Sequence, residues 1–323
     1  MPLNITTNAA AASASYYLGK NQSALQKSMT RLASGKKIIA PYDDPGSLSV
    51  SMKLQASINR LGGAQNNIRN GTSFLEVQDG LLAFGGRILD RMAELKGLSS
   101  QDPMKSSLDQ ASYNDEFKDL QVQLFEMSQQ TFNGVSLFAQ FATDNDTGLL
   151  NTTEVQFRGS NSQDNTLTIF TSADGNDGSK VSLSKSSLLS ALTIHSGSLN
   201  ASLFSTADNT QAVGASGRFT FASARVEDTM DLNQISVGVF TKALENIASL
   251  RAENGGTMSR LSYSDEMISQ MKSNMKAALG RIVDVDIAEE STNMAKYNVL
   301  TQASAAMLAQ ANSTTDIALM LLR

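Results

Sequence analysis

The stretch Asp286–Leu322, DIAEESTNMAKYNVLTQASAAMLAQANSTTDIALMLL, decides how the chain is read. Met294, Tyr297, Thr301, Ser304, Leu308, Ala311, Thr315, Ala318 and Leu322 recur at alternating spacings of three and four, the seam of a helix that packs against another helix. No Pro or Gly interrupts it, so one helix of about 50 Å is predicted. Leu300, Ala303, Ala306, Met307 and Leu319 lie outside the seam, so apolar or small residues occupy more than one face. A helix with several such faces needs several neighbours. Residues 297–315 carry no charge, yet Asn298, Gln302, Gln310 and Asn312 make them too polar for lipid, and no membrane insertion is expected.

The opposite end shows the same pattern. Ala11, Ser15, Leu18, Gln22, Leu25, Met29 and Leu32 alternate at four and three, and Ser34-Gly35 is a helix stop. Seams this rich in Ala and Ser bury little area per residue, so one such pair is marginal against its ordering entropy. The expectation is that both ends order on self-association. Periodicity alone leaves open a two-chain coiled coil or a larger assembly.

Between the ends, Asp44 and Pro45 read as the N-cap and first position of a long helix running to about Leu98. Leu54, Ile58, Leu61, Ile68, Leu75 and Leu82 keep its heptad phase. A third helix is predicted over 105–129, with Tyr113, Phe117, Leu120, Leu124 and Met127 on one stripe. Asn133-Gly134 between apolar residues is a hairpin signal. Residues 140–228 turn to Ser, Thr, Asn, Asp and Gly, with short strands expected around Val155, Phe157, Leu167, Ile169 and Phe170, a loop at Asp174–Gly178 and a short helix near 185–193. Helical pattern returns near Leu232 and runs through Leu261, Ile268, Met275 and Ile282. Gly255-Gly256 suggests a bend or an interruption.

Composition narrows the chemistry. The chain has 323 residues, 41% of them apolar, no Trp, no Cys and a single His, His195. Thiolate nucleophiles, disulfides and Cys-based metal sites are excluded. Asp144, Asp146 and Gly148 echo part of a calcium loop, but the positions for its Gly and closing Glu hold Leu149 and Val155. Asp284, Asp286, Glu289 and Glu290 read as a helix start favoured by the helix dipole. His195 reads as a surface residue in a polar loop. No phosphate loop or nucleophile elbow occurs. The expectation is a structural protein, not an enzyme, with no metal or cofactor. Net charge is −5, yet residues 1–42 carry Lys20, Lys27, Arg31, Lys36 and Lys37 and no acid. Five charges so dispersed form no nucleic-acid patch. The apolar run Ala9–Leu18 has no base before it, the reverse of a secretory leader, so export without a cleaved signal peptide is expected.

Several motifs resemble bacterial flagellins. They are Ile5-Thr-Thr-Asn8, Ser28-Met-Thr-Arg31-Leu-Ala-Ser-Gly35-Lys-Lys-Ile38, the Asp43-Asp44 pair, and Asn70-Gly71-Thr-Ser-Phe-Leu-Glu-Val-Gln78. Thr131-Phe-Asn-Gly134, Arg281-Ile-Val-Asp284-Val-Asp286, Ala306-Met-Leu-Ala-Gln-Ala-Asn312 and Leu321-Leu322-Arg323 complete the set. The likeness covers roughly 1–140 and 230–323. Pro45 is closer to hook–filament junction proteins, and the C-terminal Met307–Asn312 run decides for flagellin.

The resemblance implies a mainly α fold, with long coiled-coil-like helices from both chain ends in an elongated bundle, a β-hairpin region and a small variable outer module. Segments 1–44 and 281–323 would line an inner core. Segments 45–175 and 230–280 would form the next shell, and 176–229 the outer surface. The function implied is a self-assembling subunit of the extracellular flagellar filament; a junction-type protein or a surface adhesin is the alternative. Inner-core assembly would fall to Leu18, Leu25, Met29, Leu32, Met294, Tyr297, Leu308, Ala311, Ala318 and Leu322. Implied partners are further copies, hook-associated junction and cap proteins, the flagellar type III export apparatus and a chaperone for the C-terminal helix. Flagellins recognised by a Toll-like innate receptor carry Arg-x-Arg-Glu-Leu. Here Arg91, Glu94 and Leu95 form a candidate contact segment, with Ala93 replacing the second Arg.

Overall fold

The computed structural model describes residues 8–99, 106–139, 166–195 and 218–321. The Asp144–Gly148 loop, the strands expected at Val155 and Phe157, and Leu322 lie outside the described residues, as do the side chains of Ala318 and His195. Six helices and three two-stranded antiparallel sheets are seen among the described residues. The chain forms two compact units, residues 1–60 with 270–323, and residues 61–269.

In the first unit, helix α1 (Ala9–Ser34) starts where the Asn8 side chain accepts the Ala11 amide, at 3.0 Å. It ends at Gly35, whose φ of 68° is the left-handed conformation that glycine adopts without penalty. Helix α6 (Ile287–Leu321) starts at Asp286, which accepts the Ala288 and Glu289 amides. The two run antiparallel: Asn8 donates to the Ala311 carbonyl at 2.8 Å, and Arg31 lies 3.7 Å from Glu290. A strand-like bridge joins their bases. Lys37 N–H donates to Val283 and Val285 N–H to Gly35.

Two long helices, α2 (Pro45–Ser99) and α5 (Val237–Val283), contribute their residues from 61 onward and up to 269 to the second unit. Asp44 accepts the Ser47 amide at 3.0 Å, the N-cap predicted for α2. Along α2, Leu61, Ile68, Leu75, Leu82, Leu89, Met92 and Leu95 are fully buried. Their spacing of seven, then three from Leu89 onward, is the core stripe of an antiparallel bundle. Arg251 of α5 grips Asp79 of α2 at 2.9 and 3.1 Å, and Gln65 meets Ser269. Helix α3 (Ser107–Ser128) closes the bundle. Its start is a capping box of Ser106 and Asp109, and Arg91 reaches Glu116 across the α2–α3 contact.

Two glycines let neighbours approach α2 closely. A Cβ at Gly71 would lie 2.1 Å from Ile169 Cδ1, and one at Gly85 would lie 2.8 Å from Met127 Cε. Ile169 belongs to β3 (Thr166–Phe170), which pairs antiparallel with β4 (Lys180–Ser184). The hairpin β1 (Thr131–Phe132) and β2 (Val135–Ser136) turns at Asn133 and Gly134, with φ of 50° and 79°. These are the two positive values a type I′ turn requires. Helix α4 (Leu188–Ala191) falls inside the helix expected near 185–193.

Two expectations fail. Gly255-Gly256 does not interrupt α5, which is continuous from Val237 to Val283. Both glycines face outward, while Leu250, Asn254 and Leu261 continue the buried stripe. His195 is not in a loop: it ends β5 (Thr193–His195), opposite Arg218 of β6 (Arg218–Thr220). The buried Ile194 fixes that strand. The return of the chain near Leu232 is a single 3-10 turn, Leu232–Gln234, before α5 begins.

Candidate assembly surface

The α1–α6 pair places the predicted terminal residues in two groups. On α6, Met294, Tyr297, Thr301, Ser304, Leu308 and Ala311 are half-buried, which is the predicted seam. On α1 the seam shares Ala11, Leu18, Leu25 and Leu32 with the prediction but takes Ala14, Asn21 and Ser28 in place of Ser15, Gln22 and Met29. The sequence reading took Met29 from the alternation of four and three that starts at Ala11. The contact selects smaller and polar ones: Asn21 donates to Ser304 Oγ at 2.9 Å, and Ser28 is buried. Met29 is turned outward and is 47% exposed.

No apolar side chain described on either helix is fully buried. Tyr16, Tyr17 and Met29 on α1, and Val299 and Met307 on α6, are exposed, Tyr16 at 68% and Met307 at 66%. This is unsatisfied apolar area on both partners of a pair that has already formed.

The elbow between α1 and α2 has a pin that sequence reasoning missed. Asp43 sits 2.6 Å from Lys27 and accepts the Ile39 and Ala40 amides. Its side chain is only 3% exposed. The Lys27 hydrogen bond, helped by the two amides, holds its carboxyl below the ordinary value against the opposing effect of burial. The signal was the second acid of Asp43-Asp44, of which only Asp44 was read as a cap. Gln121 was also missed. It is buried on the α3 stripe, and its amide holds both Met230 backbone groups, at 2.8 and 3.1 Å.

The candidate receptor segment is divided. Leu95 is fully buried in the bundle, while Arg91 and Glu94 are at the surface. Arg91 binds Glu116 through two nitrogens and Glu94 through a third. A partner could touch Arg91 and Glu94, not Leu95. The acidic cluster at 284–290 is used internally: Asp286 caps α6 and Glu290 faces Arg31. No cluster of metal-ligating side chains occurs among the described residues, and no described helix is long and apolar enough to cross a membrane.

Comparison with known proteins gives this geometry its context. Residues 5–143 match the model of the bacterial flagellin N-terminal helical region, and residues 237–322 that of the C-terminal helical region. The flagellin of Listeria monocytogenes is 30% identical over 316 residues, 98% of each chain. The flagellin of Bacillus subtilis is 29% identical, over 99% of this chain and all of that one. The 33 kDa flagellar filament core protein of Treponema phagedenis is 27% identical over 99% of each chain. A solved structure assigned to the flagellar hook-associated class, from Vibrio parahaemolyticus, superposes with a TM-score of 0.51 at 16% identity. It spans 75% of this chain and 100% of that one, and it speaks to the fold alone. Two helical ends matched by their own family models, paired with each other and apolar on their outer faces, make this chain a bacterial flagellin, a structural subunit of the extracellular flagellar filament.

Proposed function

We propose that copies join in the filament chiefly through α1 and α6, which gain their full stability only there. The observation that carries this is the exposed apolar area on both helices, together with the absence of any fully buried apolar side chain among their described residues. Burial of one such side chain is worth about 1.5–3 kcal/mol. The pair leaves most of that gain for neighbouring copies. Segments 1–44 and 281–323 then form the innermost layer, 45–175 and 230–280 the next, and 176–229 the outside. Leu18, Leu25, Leu32, Met294, Tyr297, Leu308 and Ala311 hold the pair, and Met29 makes contact between copies. Ala318 and Leu322 are assigned to the same role by their sequence spacing alone.

The same exposed face of α6 is a docking strip for a chaperone before assembly. Export runs through the flagellar type III apparatus. Hook-associated junction and cap proteins meet the filament ends. Any innate-receptor contact at the candidate segment uses Arg91 and Glu94.

Electron microscopy of the purified full-length chain at high concentration tests the proposal. Long filaments are expected from the wild type. A Met29→Glu, Met307→Glu variant should stay unassembled at unchanged helix content. Filaments of wild-type length from that variant, or only short closed oligomers from the wild type, would contradict it.

A further inference from the structure

A groove lies in the first unit beside the elbow, away from the α1–α6 seam. Two adjacent hollows of about 370 and 440 Å³ share Lys36, Ser51 and Val283. Their apolar wall includes Ile38, Leu48 and Leu279, and exposed Ile39 and Met52 extend it outward. Lys36 and Lys276 stand on the rim, with Asp284 as the groove's acid. The segments that form the groove carry more bases than acids: Lys37, Lys53, Lys272 and Arg281 lie on them, α5 from Gln270 to Val283 contains no acid, and Asp43 and Asp44 are already held by Lys27 and the Ser47 amide. None of these six cations enters an ion pair among the described residues.

Helix α3 in the second unit has the complementary character. Asp115, Asp119 and Glu126 share one face and are exposed. None of the three is paired among the described residues. The other acids of α3 are engaged, Glu116 with Arg91 and Asp109 in the capping box. Leu108, 76% exposed, lies at the start of the same face and leaves an apolar side chain uncovered there.

We infer that the groove of one copy receives the acidic face of α3 from another copy. This rests on the filament reading above. The two patches are different surfaces of the same chain, so the contact is head-to-tail and not self-complementary, the kind that builds an open array when its rotation does not close a ring. Opposite charge fixes the register and speeds encounter, and the apolar wall with Leu108 excludes water.

A charge-swap experiment on the full-length chain tests this. One variant carries Lys36→Glu and Lys276→Glu, the other Asp115→Lys, Asp119→Lys and Glu126→Lys. Elongation onto wild-type seeds is followed by light scattering and electron microscopy. Each variant alone should elongate at least about tenfold more slowly than wild type. An equimolar mixture should recover most of the rate, because each groove then meets an oppositely charged α3 face. Wild-type elongation by either variant alone overturns the pairing. A mixture no faster than its components overturns it as well. Failure of the wild type to elongate counts instead against the filament reading. If a reversal lowers helix content, neutral Lys→Gln and Asp→Asn forms replace it: slower elongation supports the contact and an unchanged rate overturns it.

Discussion

The α1–α6 pair and the α2–α3–α5 bundle use the same heptad spacing and reach opposite outcomes. In the bundle, Leu61, Ile68, Leu75, Leu82, Leu89 and Met92 of α2 lose essentially all contact with water. In the terminal pair, the seam of α1 runs Ala11, Ala14, Leu18, Asn21, Leu25, Ser28 and Leu32, and only Ser28 is buried. The period fixes that helices pair. Side-chain volume and the number of neighbours fix how much water leaves. Helix α2 is enclosed by α3 and α5, whereas the seam of α1 faces α6 alone within its unit. The bundle is a finished core, and the terminal pair is half of one.

Substitutions can break that comparison. Leu82→Ala in the bundle should cost about 3 kcal/mol, the range for a buried leucine, as a fall in the urea midpoint of the monomer. Leu25→Ala in the terminal pair should cost less than about 1 kcal/mol in the same assay, because its side chain is already half in water. Equal losses at the two sites would remove the distinction. The buried Gln121 sharpens the picture of the core. Gln121→Leu leaves the Met230 N–H and C=O unpaired and should cost about 2–4 kcal/mol by urea unfolding.

A smaller effect of opposite sign is expected in α5. Gly255→Ala and Gly256→Ala add a methyl group where nothing lies within 4 Å. Each should raise stability by about 0.5–1 kcal/mol, read as a higher thermal midpoint. The smallest effect is acidic. Asp43 has a folded pKa below its ordinary value, so its contribution is fully present above the unfolded value and is lost as pH falls through the folded one. The Ile39 and Ala40 amide shifts should titrate with a midpoint under the ordinary Asp value of about 3.9. A midpoint at or above that would show that the pin does not form.

Most of the helical frame was legible. Gly35, the Asp44-Pro45 pair and Asn133-Gly134 act through backbone conformation and capping, which are local, and each stands where its residue type says. The α6 seam was also legible from Met294 to Ala311, since its alternation has one consistent phase. On α1 two phases fit, one through Ser15, Gln22 and Met29 and one through Ala14, Asn21 and Ser28, and only contact across the pair, such as that of Asn21 with Ser304, decides between them. Gly255-Gly256 misled because its cost, about 1 kcal/mol per glycine, is outweighed by the packing of Leu250, Asn254 and Leu261. Leu95 stood in the candidate receptor-contact segment because a linear motif carries no information on which face of a helix is enclosed. Gln121 reaches a residue 109 positions away and Asp43 acts across an elbow, so no spacing rule points to either.

The central claim is that the terminal helices are weakly held in the single chain and strongly held between copies. Amide hydrogen exchange on soluble monomer and on assembled filament tests it most directly. Residues 9–34 and 287–311 should exchange far faster than residues 61–95 in the monomer and become as protected as that core in the filament. Protection of the termini in the monomer equal to that of 61–95 would contradict the account.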